Sequence, residues 1–198
     1  MHDSARLAPA IVGIIPAAGR SLRMGTDKPL LQIDGRPMVV GIVEALLEGG
    51  VMHLTIVASP TLRQKLPPLP ARVDFSLNPD PNSQMIDSIR IGLSSAPDAV
   101  GYLICPADAA RITAADVRRC VEAFTAAPDR IIIATHANRR GHPMIFPASL
   151  ASVVQSPECD GGLNQLARNR TQLTREVACD SPGTTSNVNT PADYVKLT

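Results

Sequence analysis

The stretch Ala10-Ile11-Val12-Gly13-Ile14-Ile15 runs without a break into Pro16-Ala17-Ala18-Gly19-Arg20-Ser21-Leu22-Arg23-Met24-Gly25-Thr26-Asp27-Lys28-Pro29. The first part has no polar position, so it reads as a strand apolar on both faces, central in a covered sheet. The residues after it are small and then cationic. Small side chains directly after a buried strand let a ligand approach the backbone, where amide N–H groups meet phosphate oxygens. Arg20 and Arg23 add forked donors and Lys28 a compact charge within the same loop. Taken alone, the loop also fits a glycine-containing turn with solvated cations. It is neither GxGxxG nor GxxxxGK[ST], so neither a dinucleotide Rossmann site nor a P-loop ATPase is indicated.

Working outward, short β-branched runs alternate with helical patterns. Pro37 is placed to open a helix through Val39, Val40, Ile42, Val43, Leu46 and Leu47, stopped by Gly49-Gly50. Leu54 to Val57 and Val73 to Leu77 read as strands. Asn82 or Ser83 is the expected cap of a helix carrying Met85, Ile86, Ile89 and Leu93. Tyr102-Leu103-Ile104-Cys105 reads as a strand ending at Pro106. Thr113 and Asp116 resemble a capping box ahead of Val117, Val121 and Phe124, and Ile131 to Ala134 is a further buried strand. Beyond it lie Met144-Ile145-Phe146, a short helix near Leu163 to Ala167, and Leu173 to Ala178. Thr190-Pro191-Ala192-Asp193 then caps a last helix. This alternation predicts an α/β fold with a mainly parallel sheet covered by helices on both faces. Ligands in such sheets bind beyond the carboxyl ends of the strands.

Composition narrows the function classes. At 198 residues the chain is sized for one domain. Nineteen basic and 18 acidic residues give a net charge of +1, which argues against a dedicated nucleic-acid binder. Three Phe, two Tyr and no Trp leave few platforms for stacked bases. The 44% hydrophobic content suffices for a core built from Ile, Val, Leu, Ala and Met. Eighteen Pro, roughly twice the usual ~5%, imply many defined turns. No apolar stretch approaches the roughly 20 residues a spanning helix needs, and Met1-His2-Asp3-Ser4 does not open like a signal peptide. Cys105, Cys120, Cys159 and Cys179 show no CxxC spacing and read as reduced thiols. The expectation is a cytoplasmic protein with neither nucleic-acid nor membrane partners.

The ordered set Ala17-Ala18-Gly19-x-Ser21-x-Arg23-Met24-Gly25-x-x-Lys28 resembles the signature loop of the MobA/MocA-type nucleotidyltransferases, which make molybdenum-cofactor dinucleotides. The Ala-Ala-Gly form is similar to the cytidylyl branch, whereas Ala-Gly-Gly is usual in the guanylyl branch. The resemblance continues at Asp34-Gly35-Arg36-Pro37, Asn78-Pro79, Met85-x-x-Ser88-Ile89, Ala107-Asp108, Arg140-Gly141-His142-Pro143 and Asn189-Thr190-Pro191-x-Asp193. It implies a Rossmann-like sheet of the nucleotide-diphospho-sugar transferase type. One domain over residues 1–198 would comprise an NTP-binding half (about 10–110) and an acceptor-binding half (about 111–198). Three departures stand out. Ala109-Ala110 replace the Gln-Pro usual after the metal acid of the cytidylyl branch, and Gln84 stands where a Gly precedes the Met. Asn187-Val188-Asn189 replaces Asp-x-Asp, as in the guanylyl branch.

The implied reaction is Mg²⁺-dependent transfer of CMP from CTP to the phosphate of molybdopterin, with pyrophosphate released. The alternatives are a guanylyltransferase, transfer to another phosphorylated acceptor, and a nucleotide-binding module without turnover. By resemblance Arg23, Lys28 and Asp108 carry catalysis. Ala17, Ala18, Gly19, Arg20, Ser21, Asn78 and Ser88 join Arg23 and Lys28 around the nucleotide. Asp108 and Asn189 hold Mg²⁺, an ion that takes few carboxylates and keeps waters and phosphate oxygens. An Asp at the end of a buried strand also serves as a turn former. His142, Asp160 and Gly161 fall where the acceptor is bound, although each also fits a plain structural role. His53 and His136 receive no role. A client molybdoenzyme or its chaperone is the implied protein partner.

Overall fold

The computed structural model describes residues 10–19 and 27–196. In chain order the elements are β1 (Ile11–Pro16), β2 (Gln32–Ile33), β3 (Arg36–Pro37), α1 (Met38–Glu48), β4 (His53–Ala58), α2 (Pro60–Lys65), β5 (Val73–Leu77), α3 (Met85–Ser95), β6 (Gly101–Ile104) and α4 (Ala114–Ala126). The second half adds β7 (Ile131–His136), β8 (Arg139–Pro147), α5 (Ala151–Gln155), α6 (Asn164–Arg168), β9 (Thr174–Ala178) and α7 (Pro191–Val195).

Among the described residues, seven strands form one sheet in the order β5-β4-β1-β6-β8-β7-β9. β8 pairs antiparallel with both β6 and β7, while the other pairings are parallel, so within this sheet β8 runs against the rest. The fold is α/β with a mostly parallel sheet, as the alternation implied. β1 is buried along its whole length. Its residues alternate between two cores, as the two-residue strand period requires. Ile11 and Ile15 face α1 and α4 (Ile42, Leu46, Val117, Phe124), whereas Val12 and Ile14 face α3, α5 and α6 (Ile89, Leu93, Val154, Leu166). Each fully buried aliphatic side chain contributes roughly 1.5–3 kcal/mol to this packing.

Two tight turns depend on backbone that few residues adopt. β2 and β3 are joined by Asp34 (φ 51°) and Gly35 (φ 79°), the mirror-image turn that matches strand twist. α1 ends at Gly49, and Gly50 (φ 102°) turns the chain back toward β4. Some helix boundaries move from their expected places. Pro37 is the residue before α1 rather than its first. α3 is capped by Gln84, not by Asn82 or Ser83, because the Gln84 N–H donates to the Asp87 carboxylate at 2.8 Å. The carboxylate three residues on supplies the cap that the shorter polar residues were expected to supply.

β1 lies between β4 and β6, and the chain runs β1-β4-β5 outward before returning to β6 on the other side. The strand order therefore reverses between β1 and β6. A crevice opens beyond the carboxyl ends at such a point, because the loops leave in opposite directions. No helix among the described residues is long and apolar enough to cross a membrane.

Candidate active site

That crevice is present. An open cleft is lined by Pro16, Ala17 and Gly19 after β1, Pro106, Ala107 and Asp108 after β6, Lys28-Pro29, and Met85 and Ser88 on α3. The Ala17 N–H donates to the Val57 carbonyl at 2.8 Å and the Ala107 N–H to the Pro16 carbonyl at 3.2 Å. These bonds carry the ladder one residue past β1 and three past β6 and stiffen the floor. Ala17's amide is thus taken by the sheet, which removes it from the donors expected to face a phosphate. Ala18 is buried beside it, and Gly19 is exposed at the cleft wall. Arg20, Ser21 and Arg23 lie outside the described residues.

Lys28, Asp108 and Asn189 converge although they are remote in sequence. Lys28 begins a single 3-10 turn closed by the Leu31 N–H on its carbonyl at 3.0 Å. Its Nζ donates to Asn189 Oδ1 at 3.2 Å. The Asp108 carbonyl accepts the Val188 N–H at 3.0 Å, which seats the C-terminal segment against the β6 loop. Asn189 is then oriented by the cap of α7: Asp193 Oδ2 accepts the N–H groups of Asn189 (3.0 Å) and Thr190 (2.8 Å). Tyr194 donates its hydroxyl to the Gln32 carbonyl at 2.8 Å and fastens α7 to the β2–β3 hairpin.

Asp108 has an Oδ1 atom that is buried and has no hydrogen-bond partner among the described residues. Burial pushes its carboxyl above the ordinary value, and the nearby Lys28 ammonium pulls it back down. A buried carboxylate oxygen without a donor is costly unless a cation completes it. No group of three or more His, Cys, Asp or Glu able to hold a metal occurs among the described residues. One carboxylate and one amide oxygen beside an open cleft suit an ion that takes its remaining ligands from water and substrate.

The other expected site residues divide. Ser88 is buried (1% exposed) at the cleft wall, and its hydroxyl accepts from Asn78 Nδ2 at 3.0 Å. Asn78 itself does not line the cleft. Its amide also reaches Ser83 Oγ (2.9 Å) and accepts the Asp80 N–H (3.2 Å), so it organises the loop behind Ser88. Asp160 and Gly161 also lie away from the cleft lining. Asp160 pairs with Arg90 Nη2 at 2.7 Å, and the Gly161 N–H donates to Gln165 Oε1 at 3.0 Å. Met85, quoted above within a motif but given no site role, also lines the cleft. It is 48% exposed, an apolar surface where the helix pattern alone suggested core.

His142 sits on β8 where its pairing with β7 shifts register between Arg140 and Met144. Burial lowers its imidazole to about 4, and Nδ1 has no hydrogen-bond partner among the described residues. The unfolded chain therefore binds a proton between about pH 6.5 and 4 that the folded protein refuses. Stability that is complete above pH 6.5 should fall as the pH drops toward 4, by roughly 3 kcal/mol at most. Urea unfolding from pH 7 to 4 should show a steeper acid loss for the wild type than for His142→Gln. Equal slopes would place the acid sensitivity elsewhere.

A MobA-like NTP transferase domain model matches residues 13–186. The chain belongs to that family. Its relatives carry different activities. Two 2-C-methyl-D-erythritol 4-phosphate cytidylyltransferases are similar: that of Streptomyces avermitilis at 28% identity (80% of this chain, 69% of the relative) and that of Frankia casuarinae at 30% (78% and 54%). The chain thus spans between about half and two thirds of their length. The nicotine blue oxidoreductase of Paenarthrobacter nicotinovorans is 28% identical over 96% of this chain and 97% of its own. A probable molybdenum cofactor guanylyltransferase of Rhodopirellula baltica is 28% identical over 93% and 90%. The crystal structure of Rv0371c from Mycobacterium tuberculosis superposes with a TM-score of 0.84 at 24% identity, covering 96% of this chain and 98% of that one. A second structure of that protein is a complex with manganese (TM-score 0.80, 22% identity, 96% and 98% coverage). These likenesses agree with the nucleotidyltransferase fold, and the spread of activities leaves the substrate to be argued from the site.

Proposed function

We propose that the protein is a Mg²⁺-dependent nucleotidyltransferase that moves CMP from CTP to the phosphate of molybdopterin and releases pyrophosphate. The observation that carries this reading is the convergence of Lys28, Asp108 and Asn189 at the point where the strand order reverses. The acceptor phosphate is already an anionic nucleophile, so no general base or covalent residue is needed. The protein's task is positioning and charge neutralisation during in-line displacement at the α-phosphorus. Lys28, with Arg23 from the same loop, holds the triphosphate and stabilises the departing pyrophosphate. Ser88 and the backbone at Ala17 to Gly19 form the nucleotide wall. Asp108 and Asn189 would hold Mg²⁺, which when bound neutralises charge on the phosphates. His142, on β8 next to β6, is assigned to the acceptor half. The product passes to a client molybdoenzyme or its chaperone in the cytoplasm.

CTP is favoured because Ala17-Ala18-Gly19 has the cytidylyl form and two of the relatives are cytidylyltransferases. Two observations favour a second reading with another base or phosphorylated acceptor. One is the guanylyl-like Asn187-Val188-Asn189, and the other is the set of relatives acting on 2-C-methyl-D-erythritol 4-phosphate or named for guanylyl transfer. Pyrophosphate release, measured with CTP, GTP, ATP and UTP against both acceptors, tests all of this. CTP with molybdopterin should be the fastest pair. Faster release with GTP or with the erythritol phosphate would establish the second reading. No release with any pair would leave a nucleotide-binding module.

Asn189 offers an amide oxygen where the cytidylyl pattern has an acid. Asn189→Asp is expected to lower the Mg²⁺ concentration for half-maximal rate, because a carboxylate adds charge at the same position. Asn189→Ala should raise that concentration about tenfold without abolishing turnover, in line with the cost of losing a supporting ligand. A Mg²⁺ titration of the initial rate separates the variants, and identical curves would remove Asn189 from the ion's surroundings.

A further inference from the structure

Cys120 and Cys179 lie 59 residues apart in the chain, yet their Sγ atoms are 4.0 Å from each other. Cys120 projects from the buried face of α4 between Val117 and Phe124 and is fully enclosed. Cys179 directly follows β9 and keeps 6% exposure. Nothing in the proposed reaction uses either thiol. We propose that the two form a redox modification site, which a small disulfide such as oxidised glutathione converts into an intramolecular disulfide.

The geometry supports this pairing. A disulfide bond is about 2.05 Å long, so closure needs about 2 Å of sulfur movement, within reach of side-chain rotation. The backbone of Cys179 is held on both sides: its N–H donates to the Thr135 carbonyl at 2.8 Å, and its carbonyl lies 3.0 Å from His136 Nδ1. The thiol is therefore the part that turns. Arg119, fixed by the Ala178 carbonyl and the Asp180 carboxylate at 2.9 Å each, places a cation at the strand end. The hydrogen bond from Cys120 holds the Cys179 thiol below its ordinary value, Thr184 and Arg119 act in the same direction, and burial and Asp116 oppose them. The same shared hydrogen bond, together with burial, pushes Cys120 up. Cys179, which keeps some exposure where Cys120 has none and lies beside the Arg119 cation, is the attacking sulfur and Cys120 the resolving one.

The steps balance. The Cys179 thiolate attacks one sulfur of oxidised glutathione, and the first glutathione leaves as a thiolate that takes up a proton. Cys120 then gives up its proton and attacks Cys179 Sγ in the mixed disulfide, releasing the second glutathione as a thiol. Two protein thiols are oxidised and one small disulfide is reduced to two thiols. The new bond would tie the middle of α4 to the start of the segment that leads to Val188 and Asn189, which bond to Asp108 and Lys28.

The test uses the full chain and does not depend on the transferase reading. Native protein is incubated with oxidised glutathione, quenched in acid, alkylated in denaturant and mapped by mass spectrometry. The expected product is a Cys120–Cys179 cross-linked peptide with an intact mass lower by about 2 Da, the two hydrogens lost on oxidation. Dithiothreitol should reverse it, and Cys105 and Cys159 should remain alkylated. Cys120→Ala should stop at a glutathione adduct on Cys179. Absence of the cross-link in the wild type, a cross-link to Cys105 or Cys159, or a persistent wild-type glutathione adduct would each overturn the proposal. The wild-type map decides even where a variant fails to fold.

Discussion

Asp108→Ala is expected to lower kcat/KM for pyrophosphate release by about 10³-fold, at saturating as well as limiting Mg²⁺, because the described cleft lining offers no second carboxylate. Asp108 ends the loop of a central strand, and its buried Oδ1 has no partner among the described residues. The stability effect should have the opposite sign. Burial favours the protonated acid, so the folded protein holds that proton more tightly than the unfolded chain does. Stability contributed by this group therefore falls as pH rises from the ordinary 3.8 through the raised folded value. Above that window the ionised oxygen is a net cost. Asp108→Asn, neutral at every pH, should then melt about 2–4 °C above the wild type at pH 7.5 for each roughly 1 kcal/mol recovered. At pH 3 the difference should vanish. Activity and melting curves of the same preparations check both halves. A variant that stays active, or that loses stability at pH 7.5, would make Asp108 a structural turn residue.

Lys28→Ala is expected to cost about 10²-fold in kcat/KM, with weaker binding of the nucleoside triphosphate and little change in the fold. The side chain has two duties that one substitution removes together. It donates to Asn189 Oδ1, and it lowers the carboxyl of Asp108 by direct charge. With the ammonium gone, Asp108 should protonate at higher pH, so the acidic limb of the kcat/KM profile should move upward. Lys28→Arg should restore part of the triphosphate affinity, since a guanidinium also binds phosphate. Calorimetric titration with CTP and a pH–rate profile give the two readouts. Unchanged affinity with an unmoved profile would separate Lys28 from the site.

The sequence by itself determined the covered, mainly parallel sheet. Ala10–Ile15 has no polar face, and a strand without one has to be buried on both sides. It also marked the caps of α4 and α7, because Thr113 with Asp116 and Thr190 with Asp193 satisfy helix ends through local bonds. Even there, local chemistry was half of the outcome. Asp116 Oδ1 turns away to accept the Asp180 N–H at 3.0 Å, a partner 64 residues on. The reversed direction of β8 was not legible, since an apolar run reports burial and not polarity. Ala137 and Asn138, with φ of 48° and 60°, make the tight turn that reverses the chain, and Ala is not a residue that announces one. Lys28 and Asn189 were each picked out by motif, but their meeting across 161 residues depends on the order in which parallel strands were laid down around β1. The pairing of Cys120 with Cys179 has the same origin. α4 and β9 are brought together only when β7 inserts between β8 and β9, and no spacing rule along a chain encodes that neighbourhood.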